Sequence, residues 1–206
     1  MPSPQPERLV QDGRTPADPF ALLRGWAPDD DDPDRPLATL GTVDDAGLPD
    51  ARTVQLSSVG FESVTFHTDA GSRKADQLRR NPRAALVVRW DQQARQVVLR
   101  GTVSETAAEE RRTAFARQSR YLQLLAWMNT WELALLSRPE RERRWAAFDR
   151  SHPVLSPPSS WVGYALRPVD ILFWEGSELG PSRRVRYRLS ADRRSPDEWT
   201  REALPG

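Results

Sequence analysis

Gly71, Ser72, Arg73 and Lys74 follow one another directly, and in that order they have the side chains and backbone freedom to hold a phosphate. A strand-like run, SVTFHT (63–68), leads into Asp69-Ala70-Gly71, where a glycine lets the backbone turn sharply. Ser72 is placed to cap the helix that KADQLRRN (74–81) predicts, and the open N–H groups of that helix start would face an anion together with Arg73 and Lys74. Among thirty Lys and Arg residues Lys74 is the only lysine, so one compact ammonium stands among guanidinium groups. At a phosphate an ammonium is a different tool from a guanidinium. Taken alone the four residues would serve equally well as a solvated first turn, so their weight rests on the pattern around them.

Around that turn the chain is mostly strand-like. LATLGTV (37–43), a turn at Asp44 to Gly47, RTVQLSSV (52–59) and SVTFHT make a three-stranded meander, with Val54, Leu56 and Ser58 expected on one face. AALVVRW (84–90) and RQVVLRGTV (95–103) form a hairpin around Asp91 to Gln93. WVGYALRP (161–168), DILFWEG (170–176) and RVRYRL (184–189) read as three closing strands. Helices are expected at PFALLRGWA behind Asp18-Pro19, at Glu105 to Arg117 with Ser104 as cap, at 121–136, and at Pro139 to Phe148. In the apolar helix 121–136, Trp127 and Trp131 lie one turn apart and predict a broad buried face with more apolar surface than one core needs, hence a subunit interface. Short antiparallel strands broken by helices predict a mainly β fold, a closed or nearly closed barrel with peripheral helices.

Composition removes several classes of function. The 206 residues carry a net charge of +1, which gives no bulk reason to expect nucleic acid or an anionic membrane as partner. No cysteine is present, so disulfides, thiolate metal sites and cysteine nucleophiles are excluded; only His67 and His152 are available, so a histidine metal cluster is excluded too. Residues 1–17 are polar and proline-rich and read as a flexible arm ahead of a single domain, 18–206. Asp29 to Asp34 reads as a solvated loop. With no apolar run long enough for a membrane span or a signal peptide, the expectation is a cytoplasmic protein. The arginines of 138–150 alternate with Glu140, Glu142 and Asp149, a self-paired face rather than a nucleic-acid patch.

In order along the chain stand R-x-V-x-L at Arg52, Val54 and Leu56; F-x-T-x-x-G-S-R-K at Phe66, Thr68 and Gly71 to Lys74; and N-P-x-A-x-L from Asn81. Trp90 follows, then R-Q-V-x-x-x-G from Arg95, W-x-G-Y from Trp161, F-W-x-G from Phe173, and R-x-x-Y at Arg184 and Tyr187. This series, running from 37 to about 190, resembles the pyridoxamine 5′-phosphate oxidase family. The resemblance implies a split β-barrel working as a homodimer, with FMN in clefts at the subunit interface. It implies that Arg52, Arg73 and Lys74 hold the FMN phosphate, and that Thr53, Val54, His67, Thr68, Ser72, Gln96, Trp174 and Arg184 complete the cofactor site. The residue types suit the task. A phosphate dianion calls for fixed cations, Gln96 can donate to and accept from the polar edge of the flavin ring, and Trp174 offers that ring a flat wall. At the position of the family's Gln-Ser pair, which contacts the flavin phosphate, this chain has Trp131-Glu132.

The departures lie on the substrate side. Where the vitamin B6 enzymes have a lysine for the substrate phosphate, this chain has Ser57; where they have Tyr, Arg and Ser on a helix, it has Ala114, Gln118 and Leu122. The R-x-H pair that covers the pyridine ring is replaced by Gly180 and Ser182. The expected substrate, met by Ser57, Leu122 and Ser182, is therefore an uncharged aromatic or heterocyclic molecule, as in natural-product oxidation. Phenazine-type members of the family also lack the lysine, although they keep R-x-H. The alternatives are a genuine pyridoxamine/pyridoxine 5′-phosphate oxidase and a flavin-binding protein without turnover.

Overall fold

The computed structural model describes residue 9 and residues 15–28, 37–190 and 199–205; the acidic segment 29–34 and most of the expected N-terminal arm lie outside the described residues. Six antiparallel strands close a barrel: β1 (Leu37–Val43), β2 (Pro49–Val59), β3 (Val64–Asp69), β4 (Arg83–Trp90), β5 (Arg95–Glu105) and β6 (Trp161–Glu175). Their order is β3-β2-β1-β4-β5-β6, and a β3–β6 ladder shuts the ring. Alternation along each strand sends Leu40, Leu56, Phe66, Leu86, Leu99, Leu166 and Ile171 into one shared core.

Strand β6 does two jobs on one edge. Its first half, 161–166, pairs with β3, and its second half, 170–175, pairs with β7 (Arg183–Leu189), which β8 (Trp199–Leu204) extends. The sequence predicts two strands here; the structure has one, because the ladder with β5 continues past Pro168 through a register shift at Arg100/Gly101. Gly101 is what lets the two backbones approach, since a Cβ there would lie 2.0 Å from the Arg167 carbonyl oxygen. A similar irregularity between Leu56 and Ser58 alters the expected alternation in β2, so that Ser57 is buried and Ser58 is not.

Helix α1 (Pro19–Trp26), capped by Asp18 accepting from the Phe20 N–H at 2.8 Å, buries Phe20, Leu22, Leu23 and Trp26. The ring of Trp26 meets Trp90 and Phe173, so α1 closes the barrel end where β4 stops and β5 begins. Just ahead of it, Tyr187 donates to the Pro16 carbonyl at 2.8 Å, and burial pushes its phenol up to about 12. Helix α2 (Arg73–Arg80) closes the opposite end with Ala75, Gln77 and Leu78.

On the flank the helices differ from expectation. Ser104 and Glu105 stay in the β5–β6 ladder, so α3 starts later (Ala108–Ala116), behind Ala107 rather than a Ser104 cap. The helix expected over 121–136 is two: α4 (Arg120–Met128) stops at Asn129, and Thr130 caps a new short helix, α5 (Trp131–Ala134). The broad buried face expected there is not formed. Leu124 alone of α4 is buried, while Trp131 and Leu135 are each 85% exposed. Helix α6 (Arg138–Ser151) is laced by Arg138–Glu142 and Arg144–Glu140 pairs.

Replacing Gly101 by alanine should cost about 1–3 kcal/mol through overpacking, read as a melting temperature several degrees lower. Gly180→Ala, with nothing within 4 Å of the new Cβ, should melt like the parent; equal melting of the two variants would refute the close-approach account.

Candidate functional site

At the α2 end of the barrel, inward-facing positions that elsewhere carry leucine or valine carry polar groups instead. Arg52 pairs in register with Leu40 and therefore points inward. Its guanidinium donates to Thr42 Oγ1 at 2.5 Å and to Gln77 Oε1 at 3.0 Å, and it bridges Asp50 at 2.6 Å. Gln77 in turn accepts from Thr42 at 2.6 Å and donates to Asp50 at 3.1 Å. The Gln77 amide, followed by Arg52 and Arg73, holds the Asp50 carboxyl below the usual carboxylate range despite the opposing effect of desolvation. Arg52 is thus fixed on three sides before any ligand arrives.

Thr68, next to last in β3, lies on the same inward face, and its Oγ1 accepts from Lys74 Nζ at 3.0 Å and lies 3.4 Å from Ser72 Oγ. Ser72 occupies the N-cap position of α2, but its side chain makes no cap bond; the hydroxyl turns to Thr68 instead. Burial, and then the nearby Arg52 charge, push the Lys74 ammonium below its ordinary value, with Asp69 acting the other way. Two cations that disfavour each other in a partly buried setting, beside two hydroxyls, form a donor set that suits an oxyanion. Arg73 is more open, with a bridge to Asp50 at 3.2 Å. Thr53 faces outward and Val54 into the core; β3 pairs with β2 only from Leu56 onward, which leaves that edge of β2 at Thr53 and Val54 without a strand partner among the described residues.

Gln96, Trp174 and Arg184 form a second group. They are neighbours on one rung, Gln96↔Trp174↔Arg184, on the outward face, since Val97, Phe173 and Val185 beside them are core residues. One chain does not bring the two groups together. Thr68 lies beside Val162 and Trp174 lies far along the same strand, separated by roughly 40 Å of extended chain at about 3.3 Å per residue. One group faces inward at the α2 end and the other outward at the α1 end.

The substrate-side candidates sit on three different elements: Ser57 in β2, Leu122 in α4 and Ser182 just ahead of β7. Ser57 is 7% exposed and its hydroxyl lies 2.6 Å from His67 Nδ1. The His67 ring stacks on Trp161 at 4.2 Å, and Phe115 of α3 meets that tryptophan edge-on. His67 is therefore half-buried beneath α3. Gln118 is half-buried behind α3, and His152 is exposed at the end of α6. Thr42, Asp50 and Gln77 are missing from the sequence-based set. Only Gln77 carried a signal, as a polar residue between Ala75 and Leu78 on the core side of a helix. Among the described residues no cluster of three or more His, Asp or Glu could hold a metal.

A six-stranded closed barrel, with clustered cations and hydroxyls at one end and an aromatic rung outside the other, places the chain in the split-barrel class of folds. Sequence comparison agrees: the profile of the pyridoxamine 5′-phosphate oxidase family matches residues 33–149, more than half of the chain. This protein belongs to the pyridoxamine 5′-phosphate oxidase family. A pyridoxine/pyridoxamine 5′-phosphate oxidase of Rubrobacter xylanophilus is 39% identical over 168 residues, covering 80% of this chain and 75% of the relative. One from Salinibacter ruber is 34% identical over 193 residues, covering 91% and 88%. In fold, the chain resembles PhzG of Burkholderia lata, solved with tetrahydrophenazine-1-carboxylic acid, at TM-score 0.77 and 23% identity over 93% of this chain and 94% of that one. It also resembles an FMN-binding, pyridoxamine 5′-phosphate oxidase-related protein of Nostoc punctiforme at TM-score 0.63 and 22% identity, covering 82% and 87%.

The depressed Lys74 has a testable sign. Its folded-state value lies below the unfolded 10.5, so between the two the unfolded chain binds more protons and Lys74 adds stability as pH rises through that window. Lys74→Met should remove this rise from the ligand-free protein and should melt no lower than the parent at neutral pH. Inorganic phosphate should stabilise the parent and not the variant. A parent whose melting ignores phosphate would contradict the cradle.

Proposed function

We propose that this protein is a cytoplasmic FMN-dependent oxidoreductase, a homodimer with each flavin held between subunits, acting on an uncharged aromatic or heterocyclic small molecule. The observation that carries the flavin assignment is the partly buried, mutually repelling pair Arg52 and Lys74, held beside Thr68 and Ser72 with Arg73 at the rim. Arg52, Arg73 and Lys74 would take the FMN phosphate, and Thr68 and Ser72 its remaining oxygens. Thr53 and Val54 would offer peptide groups from the open edge of β2, and His67 would line the approach. The separation of Gln96, Trp174 and Arg184 from this cradle supports a site made by two chains, in which the outward rung of one subunit meets the cradle of the other. Such sharing is natural in a two-fold dimer, where each contact occurs twice. Bound FMN would supply hydride acceptance from a C–N or C–C bond and return the electrons to dioxygen.

The substrate assignment rests on Ser57. A buried hydroxyl engaged with His67 stands where the B6 enzymes place a cation, and Leu122 and Ser182 add no charge. Each charge-assisted hydrogen bond lost to a phosphate forfeits about 1.5–3 kcal/mol, so a phosphorylated pyridine would lose most of its anchoring. The 39% identity to the Rubrobacter protein favours a second reading, authentic pyridoxamine/pyridoxine 5′-phosphate oxidation through other residues. A flavin carrier without turnover is the third.

Purified protein should be yellow, bleach with dithionite, recover in air, and leave pyridoxamine 5′-phosphate unchanged. Turnover of that compound at rates typical of enzymes, ~1 per second or faster, would establish the second reading. Ser57→Lys alone should not create it, because Gly180 and Ser182 still leave the ring unheld. Arg73→Ala with Lys74→Ala should abolish FMN retention, and Trp174→Ala should weaken it. Mixing and refolding the two variants should restore about a quarter of the sites, since half of randomly paired dimers would carry one intact interface. No recovery on mixing would rule out the shared site.

A further inference from the structure

We infer that Trp26, Arg95 and Glu175 form a clamp that positions Gln96 and Trp174 against the flavin ring, an inference that rests on the proposed FMN role of those two residues. Arg95 is 7% exposed, and its Nε and Nη2 both donate to Glu175 Oε1, at 3.0 and 2.8 Å. The Trp26 ring covers the guanidinium, whose central carbon lies 4.7 Å from the ring centroid. Trp26 is itself fixed by perpendicular contacts with Phe173 at 5.1 Å and Trp90 at 5.8 Å.

This group is adjacent to the aromatic rung in both chain and ladder. Arg95 precedes Gln96, Glu175 follows Trp174, and Arg95↔Glu175 and Gln96↔Trp174 are consecutive rungs between β5 and β6. A displacement of one rung therefore passes to the next without an intermediary. Two backbone features narrow the freedom further. Ala94 turns the chain with φ 50°, and the Gly176 N–H donates to the Ala94 carbonyl at 2.8 Å. A Cβ at Gly176 would lie 3.1 Å from the tip of the Trp174 ring, so the indole rests against a bare peptide.

A buried ion pair is a poor source of net stability compared with apolar packing of the same volume, but it is selective for geometry. Two donors of one planar guanidinium on one carboxylate oxygen fix the β5–β6 register, and a slip of one residue would turn Gln96 or Trp174, whichever lay on the strand that moved, toward the core. Because Trp26 ends α1, the segment before the barrel is tied to the half of the site that would hold the ring, far from the phosphate cradle.

The test compares FMN with riboflavin, which lacks the phosphate, by fluorescence titration and visible circular dichroism of the bound flavin. Glu175→Gln and Trp26→Leu should weaken both ligands by the same factor, roughly two- to thirtyfold, and alter the flavin dichroism. The ratio of FMN to riboflavin affinity should stay at the parent value, whereas Lys74→Ala should collapse that ratio. Trp26→Phe, which keeps an aromatic face over Arg95, should restore most of the loss. If Glu175→Gln does not fold, Trp26→Leu, which leaves the ion pair in place, carries the test. Variants that melt earlier yet bind both flavins with parental affinity and dichroism would overturn the clamp while leaving the flavin assignment intact. A parent protein that binds neither FMN nor riboflavin would overturn both.

Discussion

Strand β6 has to satisfy β3 along its first half and β7 along its second, and almost everything else follows from how it does so. One edge changes partner between Leu166 and Asp170, with Pro168, which has no N–H to donate, inside the interval. On the other edge the ladder with β5 survives only because Gly101 admits the Arg167 peptide. Closure through β3 brings Thr68, and with it the α2 turn, to the start of β6. Continuation through β7 carries Trp174 and Arg184 to its far end. Barrel closure and separation of the two candidate half-sites are therefore one geometric fact seen twice. A chain folded this way holds the cationic cradle and the aromatic rung at different ends of the barrel.

The polar end of the barrel shows how an inward-pointing cation is tolerated there. A guanidinium pointing into a barrel would carry a large desolvation cost if unpaired. Arg52 avoids it through Thr42, Gln77 and Asp50, three residues from three elements. Lys74 is less well served. Its ammonium donates to the neutral Thr68 hydroxyl, and the neighbouring Arg52 charge opposes its protonation. The asymmetry leaves Arg52 the better fixed of the two cations.

Much of this was legible in the sequence, and the failures share a cause. Strands with clear alternation and polar turns, such as 37–43 and 84–90, were readable because their signals are local. The turn from β3 into α2 was readable for the same reason, its glycine and serine being contiguous with the helix start. Non-local effects were not. The continuity of β6 across Pro168 depends on Gly101, far away in the chain; the later start of α3 depends on Ser104 and Glu105 pairing with Ala165 and Tyr164. Strand β8 is exposed along most of its length and has no alternation to announce it. Thr42 and Asp50 were hidden because a threonine and an aspartate beside a hairpin turn are unremarkable until Arg52 is seen to need them.

The substrate side gives the last step. In β2 the shift between Leu56 and Ser58 turns Ser57 out of strict alternation and buries it against His67. His67 is held in turn by Trp161, and Trp161 by Phe115 of α3. A lysine at 57 would have to displace this stack or lead its ammonium past it, and a lysine loses more rotamer freedom on being confined there than a serine does. The serine is thus part of a packed arrangement that runs from the barrel wall to the flanking helix. Placing a cation at this point would require rebuilding the contact between β3, β6 and α3 as well as adding charge.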